Sequence, residues 1–129
     1  MERTEYNCTT GEYKVIQLTQ AEIDALPAPP IPTVTEIIIK TKAEAQRRIL
    51  AVIPQWKQAN LTARGVELNT KVISGGVLTT AEQAELTAGF ALWSKAKAIR
   101  TASDLIEQDI AASINLATFD VVNSARWPV

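Results

Sequence analysis

Apolar positions along the chain fall into two long stretches at helical spacing. In residues 47–64, RRILAVIPQWKQANLTAR, Ile49, Ile53, Trp56, Asn60 and Ala63 recur every three or four residues and so share one helix face. In residues 81–114, Leu86, Phe90 and Trp93, and further along Ile106 and Ile110, keep the same helical spacing. The first pattern predicts a helix that starts between Thr33 and Lys42 and runs to about Val72. The second predicts one from about Thr80 to Asn115. Packing the two faces together gives an antiparallel helical hairpin in which Trp56 and Trp93, near the two midpoints, face each other. Core packing is the plain reading of both rings, and an interface anchor is the functional one. If Trp56 is core, Trp56→Ala should lower stability by about 3–5 kcal/mol.

Helix signals punctuate this pattern. Pro54 removes the hydrogen bond to the Leu50 carbonyl and clashes there, which predicts a kink or, alternatively, a full break into two helices. Ser74-Gly75-Gly76 ends the first arm, because glycine supplies the left-handed conformation of a helix terminus. Capping-box spacing occurs at Thr19/Glu22, Thr41/Glu44 and Thr79/Glu82, and the middle one would start the long helix near Lys42. Residues 34–39, VTEIII, fit either a strand or the first turns of that helix. Gly89 is a smooth spot in the second arm, able to seat an opposing ring. Arg100 and Asp104 are spaced as an i,i+4 ion pair.

Residues 1–18 follow a different period. Tyr6 and Cys8 precede Thr9-Thr10-Gly11, and Tyr13, Val15, Ile16 and Leu18 follow it, which reads as a β-hairpin. Two strands alone are marginal in water, so the hairpin should lie on the helices, on a neighbouring copy or on a partner. A short helix follows from Thr19, with Ile23 and Leu26 as its apolar side. Prolines 27, 29, 30 and 32 then favour an extended spacer of about 3.1 Å per residue, roughly 20 Å in all. The expected organisation is mainly α: a β-hairpin and short helix over 1–26, a Pro-rich linker over 27–33, and a helical hairpin over 34–129. The tail FDVVNSARWPV is apolar enough to dock, with Trp127 anchoring onto the protein's own core or onto a partner.

Composition narrows the chemistry. Thirteen Lys and Arg stand against fourteen Asp and Glu, with Arg47-Arg48 the only adjacent basic pair, so no nucleic-acid partner is expected. Much of the apolar content is alanine, which makes a thin core and favours oligomerisation. No apolar run approaches a membrane span, the first ten residues lack a signal-peptide core, and no membrane partner is expected. With no histidine, the commonest general base and metal ligand is missing. Asp104, Glu107 and Asp109 cluster on the second arm, yet with no calcium-loop glycine they read as a solvated face. No G-x-S-x-G elbow or phosphate loop occurs. Cys8, the one cysteine, reads as a small, partly buried residue in a reducing compartment. Neither an enzyme, a cofactor nor a metal is expected. The candidate interface residues are Tyr6, Tyr13, Trp56, Trp93 and Trp127.

Most of the chain resembles small proteins encoded among the tail and tail-fibre genes of tailed bacteriophages. The carriers are I-x-x-x-x-P-x-W-K-Q-x-N-x-x-A-R from Ile49 and W-x-x-x-x-x-I-R-x-A-S-D from Trp93. The opening Y-N-C-T-T-G-E and Q-L-T-Q-A-E-I-D-A-L-P belong to the same likeness. The resemblance implies a structural or attachment protein of a phage tail. It would be made in the host cytoplasm, be retained in the virion and contact other tail proteins. A homo-oligomer is expected, with a trimer matching fibre symmetry. The alternative it implies is a tail-fibre assembly chaperone that leaves the finished particle. It carries over no catalytic residue.

Overall fold

In the computed structural model, which describes all of residues 1–129, the chain forms two compact units, Met1–Pro30 and Ile31–Val129. The division falls within the proline-rich stretch, and residues 27–33 carry no regular secondary structure.

The first unit is an antiparallel hairpin, β1 (Glu2–Asn7) and β2 (Glu12–Gln17), followed by a short helix, α1 (Gln20–Asp24). Its turn is closed by polar chemistry. The Asn7 side-chain oxygen accepts from the backbone N–H of Thr9 at 2.9 Å and of Thr10 at 3.3 Å. Gly11 takes φ +72°, which a side chain would resist, and donates its N–H to the Asn7 carbonyl. Thr19 and Glu22 cap α1 reciprocally, as their spacing predicts.

The second unit is a helical hairpin with a divided first arm: α2 (Val34–Val52) and α3 (Gln55–Ile73) run antiparallel to α4 (Thr80–Ala112). The direction follows from the pairs Lys42–Glu107, Arg64–Glu85 and Lys71–Glu82, whose numbers rise on one arm and fall on the other. Of the two options at Pro54, the break is the one realised. Ile53 is extended (φ −133°, ψ 96°), the conformation a following proline favours, and α3 restarts with Pro54 as its N-cap.

The break resets the helix phase, and this overturns the predicted buried face. An unbroken arm would turn Trp56, Asn60 and Ala63 inward; all three are exposed. The inward positions of α3 are instead Gln58, Leu61, Gly65 and Leu68, with Leu68 only 2% exposed. Trp56 and Trp93 therefore do not face each other. Nor does Gly89 seat a ring, since its neighbour across the arms is Leu61, at ordinary van der Waals distance from where a Cβ would stand.

Two other expectations fail, and of the two readings of residues 34–39 the helix is the one realised. The cap of α2 is Thr33 with Glu36, not Thr41 with Glu44. Residues 34–39 are helical, and Thr41 lies inside α2, buried, its hydroxyl donating to the Ile37 carbonyl at 2.9 Å. Arg100 and Asp104 make no ion pair; both line a polar cleft beside the α2–α3 break. Between the arms, Gly75 (φ +83°) and Gly76 return their N–H groups to Val72 and Lys71, a Schellman ending of α3.

The core sits at one end of this hairpin. Ile37 and Ala45 of α2 meet Ile99, Ala102, Ile106 and Ile110 of α4, and Val121 and Trp127 of the tail close the cluster. A 3-10 turn at Leu116–Thr118 brings the tail back, and Asp109 holds it with two bonds from Arg126, at 2.9 and 3.0 Å.

Candidate interaction surface

The five candidate interface residues fall into four different settings. Tyr6 and Tyr13 are directly opposed across the hairpin, their ring centroids 4.8 Å apart. Antiparallel pairing puts Thr4, Tyr6, Tyr13 and Val15 on one face of the two-stranded sheet. That face is open: Tyr6, Tyr13 and Val15 are each more than half exposed. The opposite face carries Arg3, Glu5, Lys14 and Ile16, and Arg3 reaches Glu22 of α1 at 3.5 Å. None of the first thirty residues is fully buried, so the hairpin has an apolar side and no core to receive it.

Trp56 projects from the first turn of α3, 68% exposed. Trp93 is half-buried in a groove between α3 and α4 with Leu61, Leu68, Leu86 and Phe90, and Phe90 is itself more exposed than covered. Arg64 borders this groove. Glu85 holds it at 3.0 Å and Glu67 at 2.9 Å, which raises its already high pKa. At the turn end, Glu82 accepts from Lys71 and caps Thr79; these two contacts hold its carboxyl down at about 2.

Trp127 is 7% exposed and part of the core, so of its two predicted anchoring roles the structure shows the internal one. Its indole N–H donates to the Val121 carbonyl at 2.7 Å. Arg48 lies over the ring, 4.9 Å from its centroid, and donates to the Val122 carbonyl at 3.0 Å. Arg48 is in turn held by Glu44, which is buried and also takes two bonds from Arg47. Hydrogen bonds from Arg47 first, and then Arg48, outweigh burial and lower the Glu44 pKa to about 2. This Glu44–Arg48–Trp127 chain was missed by the sequence reading, which used Glu44 as a cap. Its signal was the E-x-x-R-R spacing, three and four residues along one helix.

The chain matches no protein-family model, no curated protein and no solved structure.

The ionisable groups are dispersed among structural contacts. Glu107 approaches Lys42, Asp109 takes Arg126, and Asp104 faces the polar cleft. No group of three His, Cys, Asp or Glu side chains is placed to hold a metal ion. Cys8, read from sequence as partly buried, is exposed in the hairpin turn, because the strands that flank it cover nothing. No helix is long and apolar enough to cross a membrane. What the surface offers is apolar area: the tyrosine face, Trp56, and the Trp93–Phe90 groove.

Proposed function

We propose that the protein is a structural or attachment component of a bacteriophage tail that acts through protein–protein contacts, with the hairpin as its contact element. The observation that carries this reading is the open tyrosine face. Two aromatic rings and a valine stand on a two-stranded sheet that is too small to be stable by itself, and the helical unit has its own core. Aromatic side chains displayed without a core are what an association surface needs. The resemblance of residues 49–64 and 93–104 to tail-associated proteins supplies the setting. Trp56 and the groove around Trp93 and Phe90 extend the apolar surface of the helical body.

Quantitative mass spectrometry of purified particles and of the infected-cell lysate tests the reading. A fixed copy number per particle is expected. Abundance in the lysate with none in the particle would replace it with the assembly-chaperone reading.

A further inference from the structure

The free edge of β1 is self-complementary in one register. The Leu18 N–H donates to the Met1 carbonyl at 3.0 Å, and Met1 is opposite Leu18 in the ladder, so the hydrogen-bonded pairs of the hairpin involve Met1, Arg3, Glu5 and Asn7. The backbone groups of Glu2, Thr4 and Tyr6 therefore point away from β2, along an edge that nothing in the first unit covers.

We propose that this edge pairs with the same edge of a second copy, antiparallel and centred on Thr4. In that register the outward groups of Glu2, Thr4 and Tyr6 meet those of Tyr6, Thr4 and Glu2 of the other copy, giving about six backbone hydrogen bonds. Arg3 and Glu5 occupy the close, non-bonded pairs between them, so each Arg3 stands opposite a Glu5 on both sides of the two-fold axis. Their charges fix the register. Centring on Arg3 instead sets two arginines against each other, and centring on Glu5 sets two glutamates. The edge of β2 lacks this match, because pairing centred on Val15 leaves Lys14 opposite Ile16.

The product is a four-stranded sheet in the order β2-β1-β1-β2. Opposed residues of antiparallel strands share a face, so Thr4, Tyr6, Tyr13 and Val15 of both copies merge into one apolar surface. Pairing thereby relieves the marginal stability of the isolated hairpin.

This inference rests on the proposed reading of the hairpin as a contact element and names its first partner. Sedimentation equilibrium of the full chain tests it. The wild-type protein is expected as a dimer. Thr4→Pro removes an outward N–H without removing a ladder bond, and is expected to give a monomer with unchanged helical circular dichroism. Arg3→Glu and Glu5→Arg chains should each dimerise at least about tenfold more weakly than wild type. An equimolar mixture of the two should dimerise again, because the opposed charges are restored. A monomeric wild-type protein, or a Thr4→Pro variant that stays dimeric, overturns the proposal. A monomer that is nevertheless present in particles overturns self-pairing alone, whereas a dimer absent from particles overturns the tail reading alone.

Discussion

Glu44 shows how one residue ties the tail to the helices. The residue is 8% exposed, and its carboxyl is satisfied by two arginines, one of which stacks on Trp127. Its folded pKa, about 2, lies below its ordinary value of 4.5. The stabilisation is thus present above pH 4.5 and is lost as pH falls towards 2. Arg47 remains largely solvated, which screens the interaction, so the contribution at neutral pH is about 1–2 kcal/mol. Denaturant unfolding of Glu44→Gln should show that deficit at pH 7, shrinking by pH 3. A deficit equal at both pH values would mean that packing, not charge, carries it. The tryptophans divide in the same way. Trp127→Ala should lower stability by about 3–5 kcal/mol, since it removes a core ring, its hydrogen bond and the arginine stacked on it. Trp56→Ala should stay within about 0.5 kcal/mol of wild type, because the ring is solvated. Sequence spacing placed Trp56 in the core by continuing one helix phase through Pro54; docking of the tail by Trp127 was legible from the apolar tail itself.

Helix ends explain most of what could be read at the scale of elements. The Thr19 and Thr79 caps and the Gly75-Gly76 ending are local chemistry, so a few adjacent residues declare them. The Thr41/Glu44 signature was equally local and wrong. Inside α2, Thr41 donates to the Ile37 carbonyl and Glu44 accepts from Arg47 and Arg48 of the next turn, and the helix had already begun at Thr33, where Glu36 completes an equivalent box. Pro54 allows a kink or a break, and the chain takes the break. The rotation of the buried face to Leu61 and Leu68 was not legible, because it depends on what α4 presents to the restarted helix. Gly75→Ala should cost about 1 kcal/mol, read from thermal or denaturant unfolding, since φ +83° strains any residue with a side chain. Leu68→Ala should cost about 2–5 kcal/mol despite the openness of the surrounding groove. If Trp56→Ala proved the more costly of the two, the phase of α3 would have to be reassigned.

As a whole, the molecule divides into a helical unit with a core and a hairpin unit without one. Every buried side chain belongs to residues 37–127, and the first thirty residues supply none. The hairpin's existence was written in its strand formers and turn. Its lack of a core was not, because burial depends on what lies beside a strand rather than on the strand. A chain of residues 31–129 should accordingly unfold cooperatively near the wild-type melting temperature. The most direct test of the account is incorporation of this shortened chain into particles, compared with the full chain by quantitative mass spectrometry. A fixed copy number is expected for the full chain, and a shortened chain that is folded in the lysate but missing from the particles. Equal incorporation of both would contradict the assignment of contact to the hairpin, and absence of the full chain from particles would contradict its place in the tail.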